Sequence, residues 1–171
     1  MAEANGKTFD QLHQEGFEYW NKELARVKIE ASPRDKRIFY TSLYHALIVP
    51  NIFNDVDGNY RGMDNQIHNC GKDSHYALFS LWDTYRAAHP LYTIIEPERN
   101  EAFVRSLIDK WKKLGHLPKW ELHSNDTYCM IGYHAIPVIA DAYMKGQRNF
   151  DVKEALKAIA FTSEDEYYDG I

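Results

Sequence analysis

Phe79-Ser80-Leu81-Trp82-Asp83-Thr84-Tyr85-Arg86-Ala87-Ala88-His89-Pro90 is the stretch on which the reading of this chain turns. It sets an indole beside a carboxylate at the entrance to a helix. Two readings fit those residues. In one, an exposed Trp82 covers the apolar C–H face of a sugar while Asp83 accepts hydrogen bonds from its hydroxyls. In the other, Trp82 is buried and Asp83 caps the helix. The helix is predicted from Asp83 through Ile95, kinked or divided at Pro90, which has no N–H and crowds the preceding turn.

Downstream, Glu96-Pro97-Glu98 opens a second helix with acids in its first turn. Phe103, Leu107, Ile108, Trp111 and Leu114 recur at helical steps and give it an apolar stripe. Lys110, Lys112 and Lys113 crowd its end, and Gly115 stops it. Residues 116–126 form a polar joint in which Trp120-Glu121 repeats the indole–carboxylate pair. An apolar helix is predicted over Thr127 to Lys145, interrupted by Pro137 and closed by Gly146. Asp151-Val152-Lys153-Glu154 has the form of a capping box and opens a final helix to about Thr162.

Upstream, residues 8–30 carry apolar side chains at three- and four-residue steps, with Val27-Lys28-Ile29-Glu30 leaving the helix in extended form. Ser32-Pro33 restarts a helix with Ser as N-cap and Pro at its first position, and that helix stops before Pro50. A long polar connection covers residues 50–75. Its Asp55-Val56-Asp57-Gly58-Asn59-Tyr60 invites a calcium-loop reading, but the register fails. With Gly58 at loop position 6, Phe53 falls where an oxygen ligand is needed and Asp64 stands in place of the closing Glu. An Asp-Gly turn is the better account. No strand longer than a few residues is expected. The sequence thus predicts an all-α fold of about five or six helices joined by long loops.

Composition sets the outer bounds. The chain has 171 residues, enough for one domain with a real core, and its 44% apolar and 26% charged content is that of a globular protein. A net charge of −5 argues against a nucleic-acid surface, and no apolar run is long enough to span a membrane. Met1 to Lys7 lacks the apolar stretch of a signal peptide. Two cysteines, Cys70 and Cys129, leave the redox compartment open.

A pair of carboxylates is what acid–base cleavage of a glycosidic bond requires, and Asp83 with Glu121 is a candidate pair if the fold brings them to about 5–10 Å. Ordinary capping and ion pairing account for isolated acids equally well. The eight histidines form no metal pattern, and His45 reads as a core residue on an apolar helical face. Cys129-Met130 reads as packing. Neither Ser42 nor Ser74-His75 presents a nucleophile elbow.

Several stretches in order resemble one known family. They are Phe39-Tyr40-Thr41-Ser42-Leu43-Tyr44-His45-Ala46, the run from Asp55 to Asp64, the run from Ser80 to Pro90, and Leu117-Pro118-Lys119-Trp120-Glu121-Leu122 through Asn125-Asp126-Thr127. Cys129-Met130-Ile131-Gly132 and the run from Pro137 to Gly146 complete the set. Together they resemble family 92 of the glycoside hydrolases, the calcium-dependent exo-acting α-mannosidases, over roughly Phe9 to Ala158.

The resemblance implies that the helices belong to an (α/α)₆ toroid, with residues 8–162 a partial catalytic domain, 1–7 a leader and 163–171 an acidic tail. It implies inverting, calcium-assisted hydrolysis of terminal α-linked mannose, with an α-1,2 linkage expected, and substrate contacts from Trp82 and Asp83. Trp120 and Glu121 are candidate contributors to the same sugar-binding wall. The family's general acid lies in a motif containing Glu-Gly-Asn, and its base and calcium ligands lie in other motifs; none of these occurs here. The catalytic pair and a complete calcium site are therefore expected in the remainder of a longer parent polypeptide. Mannose-containing glycans are the expected partners, and the resemblance implies an extracellular, periplasmic or cell-surface setting. The alternative function is a non-catalytic carbohydrate-binding or scaffolding helical module.

Overall fold

Thr8 begins the first helix by a reciprocal cap. Its hydroxyl accepts from the Gln11 backbone N–H, and the Gln11 side chain accepts from the Thr8 N–H at 2.8 Å. The computed structural model describes residues 4–164. Helix α1 (Phe9–Leu24) ends earlier than its apolar spacing predicts. The chain bends at Val27 and holds no regular element over residues 28–32, and the Tyr40 hydroxyl donates to the Val27 carbonyl at 3.0 Å. Helix α2 (Pro33–Ile48) starts at the predicted proline, with Ser32 Oγ accepting from the Asp35 N–H at 3.2 Å. Trp20 of α1 meets Tyr44 of α2 edge to face, ring centroids 4.5 Å apart. These elements form one compact unit, which ends at Ile48.

The second unit begins at Val49. The connection over 50–75 holds three short strands, β1 (Asn51–Ile52), β2 (Asn59–Arg61) and β3 (Ile67–Asn69). The β2–β3 hairpin is antiparallel, with Tyr60 opposite His68. The expected Asp-Gly turn precedes it: Gly58 sits at φ +83° and donates to the Asp55 carbonyl at 2.9 Å. The Asp57 carboxylate is engaged locally by the backbone and side chain of Asn59. Strands β4 (Tyr76–Ala77) and β5 (Phe79–Ser80) follow, and β4 pairs with β1.

Pro90 divides the predicted helix. Helix α3 (Leu81–Thr84) is a single turn, and α4 (Ala88–Ile95) carries Pro90 in its first turn, where a missing N–H is harmless. Helix α5 (Pro97–Leu114) has the predicted bounds, ended by left-handed Gly115 at φ +95°. After β6 (Trp120–Glu121) the chain departs from its prediction. Helix α6 is confined to Ala135–Met144, and residues 127–134 are irregular, with Tyr128, Met130 and Gly132 all at positive φ. Pro137 again lies in a first turn, the position it favours. Helix α7 (Val152–Glu164) opens at the Asp151 cap, whose carboxylate accepts from the Glu154 N–H at 3.0 Å. The expected tail at 163–171 begins inside α7 with Ser163 and Glu164; its remainder, and the first three residues of the expected leader, lie outside the described residues.

The described residues therefore hold seven helices instead of five or six, and three two-stranded antiparallel ladders modify the all-α expectation. Strands of two or three residues carry too little alternation to register as a period-two pattern. The core of the second unit packs Phe79, Tyr76 and Tyr92 around Phe103 of α5, with Tyr76 edge-on at 4.7 Å and Phe79 at 6.0 Å. Phe79 and Leu81 are fully buried, which fixes the backbone on both sides of Ser80.

Candidate functional site

Strands β5 and β6 pair antiparallel, with Phe79 opposite Glu121 and Ser80 opposite Trp120. This ladder brings the two indole–carboxylate pairs together across forty residues of sequence. The link is a hydroxyl. The Trp120 indole N–H donates to Ser80 Oγ at 2.7 Å, and Ser80 Oγ–H donates to Asp83 Oδ2 at 2.6 Å. Asp83 is exposed, and its Oδ1 has no hydrogen-bond partner among the described residues. Asp83 does not cap a helix: α3 starts at Leu81, two residues before it. Trp82 is half-buried, so neither plain alternative from the sequence describes it.

The surroundings of Trp82 are cationic and aromatic. The Arg86 guanidinium lies 4.4 Å from the Trp82 ring centroid, and its Nε donates to the Trp82 carbonyl at 3.1 Å. His134 stacks on Tyr85 at 4.2 Å with the rings 6° from parallel, and lies 5.2 Å from Trp82. Burial, with Arg86 nearby, holds His134 below its ordinary histidine range. Tyr85, Arg86 and His134 were not singled out from the sequence. Tyr85 and Arg86 stand within the decisive stretch, whereas His134 arrives through the irregular loop that the sequence presents as helix.

Glu121 faces the interior. Its side chain is 0% exposed, and both oxygens are engaged: Oε2 accepts from the Leu78 N–H and Oε1 from the Ser124 N–H, each at 2.9 Å. Lys110, 1% exposed, places Nζ 3.4 Å from Oε1. Glu121 is thus buried on the Phe79 side of the ladder with both carboxylate oxygens bonded, whereas Asp83 is exposed. The two carboxylates of the Asp83–Glu121 pair considered from the sequence therefore differ in setting, one exposed and held by Ser80, the other buried and bonded to Leu78, Ser124 and Lys110.

A polar cluster continues behind Lys110. Its Nζ lies 3.1 Å from His75 Nε2, and His75 stacks on Tyr60 with centroids 3.9 Å apart. The Tyr60 hydroxyl donates to Asp109 Oδ2 at 3.0 Å, and Lys113 bonds both Tyr60 and Asp109. Burial, with Lys110 and Lys113 adjacent, pushes His75 down to about 2, so the imidazole is neutral and accepts from the ammonium. Burial also lowers Lys110, opposed by Glu121. Burial and Asp109 raise Tyr60 above its ordinary range.

The joint before α6 is held by Asp126. It accepts from the backbone N–H groups of Lys119, Trp120 and Tyr128 at 2.9–3.1 Å. Burial opposes its ionisation, but His116 and those three donors keep its carboxyl below the usual range. Cys70 and Cys129 are both free thiols. Among the described residues, no group of three or more His, Cys, Asp or Glu side chains converges to hold a metal ion.

Comparison with known proteins accords with this architecture. The sequence model of the glycosyl hydrolase family 92 catalytic domain matches residues 1–170. The chain is similar to the family GH92 α-mannosidase BT3965 from Bacteroides thetaiotaomicron, at 40% identity and a TM-score of 0.94, covering 98% of this chain and 23% of that one. The same enzyme in complex with mannoimidazole gives the same identity and TM-score. The inverting GH92 mannosidase BT2199 from the same organism shares 32% identity over 94% of this chain and 22% of its own, at a TM-score of 0.84. None of the curated proteins matches. The chain belongs to glycoside hydrolase family 92, and it spans about a quarter of the length of the α-mannosidases it resembles.

Proposed function

We propose that these residues supply part of the mannose-binding wall of an exo-acting α-mannosidase. The hydrogen-bonded line Trp120–Ser80–Asp83 carries the reading. It holds one indole and one exposed carboxylate in fixed relation beside a second indole. Arg86 covers one face of Trp82, so the apolar face of the sugar is proposed to meet the other. Asp83 would accept from sugar hydroxyls through Oδ1, while its Oδ2 is held by Ser80. Preorganisation of this kind lowers the ordering cost of binding.

The finer features follow from the family and are part of the proposal: inversion at the anomeric carbon, preference for an α-1,2 linkage, and action outside the cytoplasm. BT2199 is itself an inverting mannosidase, and BT3965 binds mannoimidazole. The general acid, the base and the calcium ligands are proposed to come from residues beyond the 171 of this chain.

The test is a titration with mannose, following tryptophan fluorescence in the wild-type chain and in Asp83→Ala. A mannose response in the wild type that Asp83→Ala loses supports the wall. A folded wild-type chain indifferent to mannose removes it. Incubation with α-1,2-mannobiose, with calcium or a chelator, checks the placement of the chemistry. Mannose release would show that the acid and base lie within these residues, against the proposal.

A further inference from the structure

The Glu121 carboxylate is bonded to the two residues that flank the β5–β6 ladder. Leu78 immediately precedes β5, and Ser124 lies in the turn that follows β6, where Leu122 and Asn125 exchange backbone hydrogen bonds. Both are non-glycine residues in the left-handed region, Leu78 at φ +66° and Ser124 at φ +68°. Such backbones persist where surrounding bonds hold them. Ser124 is further tied by its hydroxyl to the Arg61 carbonyl of β2. Within the ladder, Glu121 stands opposite Phe79, one residue from the Ser80–Trp120 pair that holds Asp83. Lys110 reaches this carboxylate from α5 and is itself anchored to His75.

We infer that Glu121, paired with Lys110, is a positioning residue: by clamping the Leu78 and Ser124 backbones it sets the Ser80–Trp120 register and hence the place of Asp83 in the wall. The inference rests on the proposed mannose-binding role of that wall, and assigns Glu121 no contact with the sugar. Its length suits the work. A carboxylate one methylene shorter could not bond both N–H groups, and an amide would present a donor to one of them.

The experiment follows the indole N–H of Trp120 by ¹H–¹⁵N NMR and hydrogen exchange in the 171-residue chain. Ser80→Ala, which deletes its acceptor, is the benchmark, and the α5 amides of Leu107 and Ile108 report global stability. Glu121→Gln and Glu121→Asp are compared with wild type. The double variant Lys110→Met/Glu121→Gln, which leaves no uncompensated buried charge, serves if either single variant fails to fold.

The expected result is indole exchange accelerated about tenfold or more towards the Ser80→Ala rate, beyond any change in the α5 amides. Mannose binding should weaken in parallel with Ser80→Ala. An indole signal unchanged in shift and exchange overturns the inference. So does a loss of protection that merely tracks the α5 amides, because Glu121 would then contribute to stability alone. A wild-type chain that ignores mannose removes the sugar reading, while the indole measurement still decides whether Glu121 sets the position of Trp120.

Discussion

The indole N–H of Trp120 ends on the hydroxyl of Ser80, 2.7 Å away, and that same hydroxyl donates to Asp83. One small side chain therefore couples two motifs forty residues apart. Ser80→Ala would leave a half-buried indole N–H without its acceptor and Asp83 without its donor. We expect a loss of about 1–2 kcal/mol in stability, read by urea unfolding, with helix content by circular dichroism unchanged. A loss well below that range would show that water replaces the hydroxyl without penalty.

Lys110→Met tests the buried pair from its other side. The substitution fills similar space but leaves the Glu121 carboxylate, 0% exposed, without a counter-charge. A destabilisation of roughly 3–5 kcal/mol is expected, with much of it recovered in Lys110→Met/Glu121→Gln. The double-mutant cycle measures the coupling directly. Simple additivity of the two single effects would contradict a coupled pair.

Stability should fall as pH drops from 7.5 to 5. His75 is pushed down to about 2 and His89 to about 4, burial being the leading cause for both. Both are neutral in the fold across that range, whereas in the unfolded chain they take up protons below about 6.5. The unfolded state binds more protons, so stability rises with pH through this window. At pH 5 each histidine removes roughly 2 kcal/mol. Urea midpoints against pH check the slope, and His75→Gln should flatten it by about half.

Two glycines with similar backbones should respond differently to alanine. Gly115 at φ +95° has open space where a Cβ would stand, so Gly115→Ala meets only left-handed strain, about 1 kcal/mol. At Gly132, φ +82°, a Cβ would lie 2.8 Å from His134 Nε2, on a ring already stacked against Tyr85. Gly132→Ala should therefore cost more, and the Tyr85 and Trp82 fluorescence should change with it. Equal thermal shifts for the two variants would show that the His134 ring yields freely.

The local signals in this sequence were strong where one side chain decides a boundary. Pro33, Pro97, Gly115 and Asp151 start or stop helices because a missing N–H, a missing Cβ or a carboxylate acts within one turn. The ordered motifs from Phe39 to Gly146 carried the family for the same reason: they are linear. Residues 127–134 misled, because apolar composition reads as helix while Pro137 needs a first turn and Gly132 a positive φ. Trp82 and Asp83 were legible as a pair. Their partnership with Trp120 was not, since ladders of two residues leave no periodic trace.

Glu121 marks the division most sharply. The sequence by itself determined that an acid follows Trp120, and nothing local told whether it faces a sugar or the interior. The pairing of β5 with β6 decided that, because a strand side chain points to one side of the ladder or the other according to register. That register brought Glu121 against Lys110 and the N–H groups of Leu78 and Ser124, where a carboxylate can be buried because its oxygens are bonded. The same register turned Trp120 towards Ser80 and Asp83. Helix ends and family were thus written in neighbouring residues, and the Trp120–Ser80–Asp83 line and the buried Glu121 behind it arose only when distant ones met.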